Sequence, residues 1–146
     1  MSRRILALLI TLGAWLPAGA ADLPYGVAVD PAELTTLFAY HSRGVDLDLG
    51  RNGPIDRAEA ARWYQRSAVL GFPLSQYRLA RHYEAGVGMT RDYVLAYLWY
   101  DLAAANGDPL AAADLVRLTA RMSDEELGEA RALATAGRRL LAPPSR

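Results

Sequence analysis

His41 and His82 are the only histidines in a chain of 146 residues that has neither cysteine nor lysine. That inventory removes thiol catalysis, thiolate metal sites, Schiff-base chemistry and the lysine of a phosphate-binding loop. Gly86-Val87-Gly88 lacks both that lysine and a preceding strand, so it reads as a turn. Two histidines 41 positions apart, with no cluster of acids around them, predict no metal site and no cofactor. Ser42 and Ser75 have no base-and-acid arrangement near them in sequence. A glycan hydrolase would need two carboxylates in a cleft, one with a raised pKa. Glu84, the nearest candidate, sits beside a turn with no apolar pocket in view. The chain reads as non-enzymatic.

Charge narrows the partners. Sixteen basic residues balance sixteen acidic ones, which argues against nucleic acid, since phosphate contacts need a basic footprint. Arginine replaces lysine throughout. A guanidinium holds a carboxylate with two parallel hydrogen bonds, so arginines gathered on one face would suit an acidic peptide.

The first twenty residues stand apart. Arg3 and Arg4 precede an uncharged run from Ile5 to Leu16, Pro17 breaks it, and Ala18-Gly19-Ala20 supplies a small-x-small cleavage site. The run would make only about 18 Å of helix against a hydrocarbon core of roughly 30 Å. Residues 1–20 therefore read as a cleaved secretory signal, with an uncleaved N-terminal anchor as the alternative. Cleavage leaves 14 basic groups against 16 acidic ones, a charge of −2, and no transmembrane segment. An exported chain without cysteine suits an oxidising compartment. The expected destination is the Gram-negative periplasm, or secretion. Residues 21–30, with Pro24 and Gly26 and no periodicity, read as an extended segment whose Leu23 and Tyr25 could add contacts. Residues 141–146 read as a flexible tail.

Between them lies a repeat of 36 residues. Ala60 aligns with Ala96, Trp63 with Trp99, Tyr64 with Tyr100 and Ala68 with Ala104. Gly71 aligns with Gly107, Pro73 with Pro109 and Leu74 with Leu110; Gly50 falls on Gly86 and Asp56 on Asp92. A period in this range marks a solenoid, in which each unit buries its face against a neighbour. Helix starts are legible from their caps: Asp30-Pro31 with Glu33, Asp56 with Glu59, Pro73, Asp92, Asp108-Pro109, and Ser123 with Glu126. Six helices follow, at about 31–43, 57–70, 73–85, 92–106, 109–121 and 124–140, and no strand. The loop Gly50-Arg51-Asn52-Gly53, with its glycines three positions apart, differs from Gly86-Val87-Gly88 and predicts a different path. Trp63 and Trp99, at equivalent positions, read as core residues.

The stretch from Leu79 to Tyr93, with Tyr83, Gly86, Gly88 and Asp92, followed by Ala96, Trp99, Tyr100, Ala103, Ala104, Gly107 and Asp108, resembles the Sel-one-like repeat, a relative of the tetratricopeptide repeat. Trp63, Tyr64 and Gly71 supply the same positions one unit earlier. The resemblance covers residues 36 to 120. It implies an all-α, right-handed α/α solenoid of about three helical hairpins over residues 31–140, closed by a C-terminal capping helix. It also implies a protein-interaction adaptor with a protein or peptide partner, expected to be another envelope protein. The first helix of each hairpin would line the concave face, placing Tyr40, His41, Arg78, Arg81, His82 and Arg117 toward the partner. Two other readings stand beside it: a module that binds peptidoglycan through stacked rings, and a structural subunit of an envelope complex. Exposed rings in a row would favour the first of these.

Overall fold

The computed structural model describes residues 31–141. The signal segment 1–20, the extended segment 21–30 and all but the first residue of the tail lie outside the described residues. Six helices account for most of the rest: α1 (Pro31–Leu49), α2 (Arg57–Val69), α3 (Pro73–Ala85), α4 (Tyr93–Ala105), α5 (Ala111–Thr119) and α6 (Asp124–Leu140). No strand occurs among the described residues. The architecture is an all-α helical repeat solenoid.

Capping chemistry sets the helix starts. The Asp56 carboxylate accepts from the Glu59 amide at 2.9 Å, and Asp92 accepts from Leu95 at 3.0 Å. Ser123 and Glu126 form a reciprocal box at the head of α6. Each cap satisfies an amide that the first helical turn leaves without a partner, worth about 1 kcal/mol. Pro73 opens α3 at its first turn, where its missing N–H costs nothing. Asp108 departs slightly from expectation. Residues 109 and 110 form a turn, regular helix begins at Ala111, and the Asp108 carboxylate accepts from both Leu110 and Ala111.

The first helix corrects the sequence reading. It was expected to end near residue 43, before Gly44, and instead runs to Leu49. Gly44 is not a helix breaker here but a packing residue: a Cβ on it would lie 2.7 Å from the Tyr64 ring of α2. The helix ends at Gly50 (φ +66°), as α3 ends at its repeat mate Gly86 (φ +69°). The loop after Gly50 also ends where its counterpart does. Asp56 N–H donates to the Leu47 carbonyl at 2.9 Å, and Asp92 N–H donates to Tyr83 at 3.0 Å. Both donor and acceptor are shifted by the repeat length, so the altered sequence reaches the same rung.

The helices pack in succession from α1 to α5, and α6 lies against α4. Gly137 allows that approach, because a Cβ there would sit 2.7 Å from Leu98 Cδ1. Alanines at 60, 68, 96 and 103 let backbones come close, while Tyr64, Leu79, Leu98, Trp99, Tyr100, Leu118 and Leu133 fill the spaces between them. Repeat equivalence does not guarantee equal burial. Trp99 is only 2% exposed on α4, which α3, α5 and α6 all cover. Trp63 is half-buried on α2, beside the Tyr40 ring at 5.5 Å and beneath the Arg66 guanidinium at 4.1 Å.

Candidate partner-binding face

The repeat offset that aligns the tryptophans also places Asp48 on Glu84, Tyr64 on Tyr100 and Arg81 on Arg117. The second of these sets is closed. Glu84, at the end of α3, is 8% exposed, and a buried carboxylate must have its lone pairs filled. Tyr100 of α4 donates to Oε2 at 2.8 Å. Arg117 of α5 donates to Oε1 at 2.7 Å and to Oε2 at 3.2 Å, and Arg121 donates to Oε1 at 2.8 Å. Arg117 also bonds Asp114 at 3.0 Å, whose other oxygen accepts from Tyr77 at 2.7 Å. Hydrogen bonds to Glu84, then to Asp114, push the Arg117 pKa further up. Burial, then the Glu84 hydrogen bond, raises Tyr100. For Asp114 burial acts upward, but the bonds from Tyr77 and Arg117 outweigh it and hold the carboxyl below its ordinary value.

The equivalent set around Asp48 is open. Its side chain is one methylene shorter, and every neighbour stands off: Tyr64 Oη at 3.5 Å, His82 Nε2 at 3.5 Å and Arg57 Nε at 3.7 Å. Burial, followed by the Asp48 charge, raises the Tyr64 hydroxyl. Arg81, the mate of Arg117, has no hydrogen bond or ion pair among the described residues, and neither has Arg78.

Two clefts meet at this arginine. One of about 230 Å³ is lined by Asp48, Arg57, Arg78, Arg81 and His82, with Ala85 at its edge. The other, of about 290 Å³, is lined by Arg81, Glu84, Arg91, Arg117 and Arg121, again with Ala85. Guanidinium groups outnumber carboxylates in both. Arg121 and Arg91 lie 4.9 and 5.5 Å from the Tyr93 ring centre, and Arg121 also donates to the Tyr93 hydroxyl. Arg57 at the start of α2, Arg78 and Arg81 of α3, Arg91 ahead of α4, Arg117 of α5 and Arg121 just beyond it thus build a basic face around Arg81.

Only part of the expected surface belongs to that face. Arg78, Arg81 and Arg117 are on it. His82 is 6% exposed, with Nδ1–H donating to the Val87 carbonyl at 2.9 Å, so it forms a buried wall of the first cleft and offers no contact arm. Tyr40 turns instead to Trp63. His41 packs its ring on Phe72 at 5.1 Å and Tyr64 at 5.7 Å. Its Nδ1 lies 2.9 Å from Ser75 Oγ, a serine–histidine pair that sequence separation concealed. Ser75 is wholly buried and no carboxylate completes the pair among the described residues, so it links α1 to α3. Burial, then the Arg78 charge, lowers the His41 pKa. Arg57, Arg91, Arg121 and Glu84 were missed. Their signals were the i, i+4 step from Arg117 to Arg121 and the 36-residue offset from Asp48 to Glu84.

Among the described residues no three His, Asp or Glu side chains gather as a metal site, and no helix is long and apolar enough to cross a membrane.

The Sel1 repeat family model matches residues 41–72 and 73–108. These boundaries coincide with the structural units: the end of α1 with α2, then α3 with α4. Residues 41–108 are two Sel1-like repeats. The chain is 41% identical over 56 residues to the chitin synthase regulator SKT5 of Saccharomyces cerevisiae, spanning 38% of this chain and 8% of that protein. A Sel1 repeat protein from Oxalobacter formigenes matches with 41% identity and a TM-score of 0.55, over 59% of this chain and 65% of that one. A protective antigen of uropathogenic Escherichia coli with an SLR fold matches with 27% identity and a TM-score of 0.70, over 76% of this chain and 24% of its own. The chain thus spans less than two thirds of each of these relatives. Sel1 repeats generally mediate protein–protein interaction.

Proposed function

We propose that this Sel1-like chain is a non-catalytic adaptor of the bacterial cell envelope, holding an acidic segment of another envelope protein against the arginine-lined face that centres on α3 and α5. The observation that carries the reading is the pair of arginine-lined clefts meeting at Arg81. A chain whose overall charge is zero concentrates Arg57, Arg78, Arg81, Arg91, Arg117 and Arg121 there against Asp48 and Glu84. Such a surface steers an acidic partner and fixes its register. The basic head, apolar run and small-x-small site of residues 1–20 support export.

A peptidoglycan module is less well supported. Trp99, Tyr64 and Tyr100 are buried, Trp63 with Tyr40 is a half-exposed ring pair covered in part by Arg66, and the exposed Phe38 is edge-packed against Phe72. The test is crosslinked capture of the tagged chain from fractionated bacteria, comparing wild type with Arg78→Gln/Arg81→Gln. A periplasmic chain that brings down one acidic envelope protein, lost in the double variant, supports the reading. Capture unchanged by the double variant, or a chain found only in the cytoplasm, contradicts it. A complex of fixed stoichiometry that survives high salt would point to a structural subunit.

A further inference from the structure

The molecule contains its own picture of what the open cleft lacks. Arg117 and Arg81 occupy equivalent places in successive repeats, on α5 and α3. Arg117 is clamped by both oxygens of Glu84, at 2.7 and 3.2 Å, and by Asp114. Arg81 would find its clamp in Asp48, but an aspartate falls one methylene short of the reach that a glutamate has from the same position. Asp48 instead stands in loose contact with Tyr64, His82 and Arg57. The result is an exposed guanidinium whose donor fork no described residue fills, at the wall common to both clefts.

We infer that Arg81 is the anchor of the partner site, and that a glutamate side chain of the partner enters the first cleft to make at Arg81 the paired hydrogen bonds that Glu84 makes at Arg117. This rests on the adaptor reading and deepens it, naming the recognised group and the residue that reads it. A carboxylate fits the geometry because the clamped repeat already holds one, flat against a guanidinium. The cleft of about 230 Å³ has room for such a side chain. Asp48 lies in the same cleft and repels an incoming anion, but Arg57 stands 3.7 Å from it and Arg78 adds a second guanidinium that no described residue pairs. In the second cleft Arg117 already donates four hydrogen bonds to Glu84 and Asp114, Arg121 donates to Glu84 and Tyr93, and Arg91 lies over the Tyr93 ring, so its cations are more engaged than Arg81. One-residue asymmetry between repeats therefore decides where on the solenoid the partner's acid docks.

Asp48→Glu separates this account from simple charge attraction, because it leaves net charge unchanged while supplying the missing methylene. The internal glutamate should close on Arg81 and exclude the ligand. The probe is a dye-labelled, N-acetylated octaglutamate peptide, followed by fluorescence anisotropy at low ionic strength, with octaglutamine and an octapeptide of phosphoserine and glycine as comparators. Circular dichroism checks that each variant stays folded. Arg81→Gln should weaken octaglutamate binding about tenfold, and Arg81→Lys, which keeps the charge but loses the fork, nearly as much. Asp48→Glu should weaken it about fivefold, whereas Asp48→Asn should tighten it by removing the repulsion. Asp48→Glu binding as wild type, with Arg78→Gln/Arg81→Gln still losing the peptide, would overturn the anchor mechanism and leave the adaptor reading standing. Wild type that ignores octaglutamate would remove both. Preference for the phosphoserine peptide would overturn the carboxylate as the recognised group.

Discussion

Replacing Glu84 by glutamine tests whether the charged network is structural. The two side chains share a shape, but one carboxylate oxygen becomes an amide that points its own hydrogens at donors. Either orientation is unfavourable. Oε1 accepts from Arg117 and Arg121, while Oε2 accepts from Tyr100 and Arg117. A buried pair broken on one side costs about 3–5 kcal/mol, and each hydrogen bond to a charged group is worth about 1.5–3 kcal/mol. The Arg117 and Arg121 side chains are 52% and 46% exposed, so water recovers part of their loss. The expected destabilisation is about 2–4 kcal/mol, or roughly a 10 °C fall in Tm for a domain of this size. Urea unfolding followed by circular dichroism measures it. A double-mutant cycle with Arg117→Gln should then show coupling of about 1 kcal/mol or more. A loss below about 0.5 kcal/mol for Glu84→Gln would refute the view that this carboxylate ties α3, α4 and α5 together.

Three further outcomes follow from the packing. Trp99→Ala should cost about 3–5 kcal/mol by leaving a cavity, whereas Trp63→Ala, at the equivalent but half-exposed site, should cost about 1–2 kcal/mol; equal losses in urea melts would contradict the burial difference. Gly88→Ala should cost about 3 kcal/mol, since its φ is +73° and a Cβ would strike the Arg57 carbonyl group, while Gly107→Ala, at φ +90° with open space around it, should cost about 1 kcal/mol in the same assay. Because burial and Arg78 depress the folded-state pKa of His41, the unfolded chain takes up the proton first, so stability should fall as pH drops below the ordinary value of 6.5 toward the lower folded value. Unfolding free energies measured across that window should show a slope that His41→Gln reduces.

Much of the fold was legible because it is written in local chemistry. Asp56, Asp92 and Ser123 with Glu126 mark helix starts through bonds to amides three residues on, and the 36-residue offset identifies the unit. The misreadings arose where a residue's role is tertiary. Gly44 looks like a helix end until Tyr64 of the next helix is seen against it. The His41–Ser75 bond joins helices far apart in sequence. Trp63 and Trp99 share a repeat position, yet only α4 receives α6 as a cover. At the basic face, arginine identity and helix register brought out Arg78, Arg81 and Arg117. They could not say that one of these is clamped and another open. That distinction depends on the length of the acid at position 48 or 84, a comparison the repeat made available. Tyr40, His41 and His82 were drawn to the face by helical register alone, and their rings are held by Trp63, Phe72, Tyr64 and the Val87 carbonyl.

The most direct test of the partner face is a photocrosslinker placed at Ala85, an exposed residue at the edge of both clefts, with Ala132 on the exposed side of α6 as the reference position. Illumination of living bacteria, followed by mass spectrometry, reads which proteins lie against each position. A single strong protein adduct at Ala85, absent at Ala132 and strongly reduced by Arg81→Gln, is the expected result. An Ala85 position that yields no adduct, or the same adducts as Ala132, would contradict it.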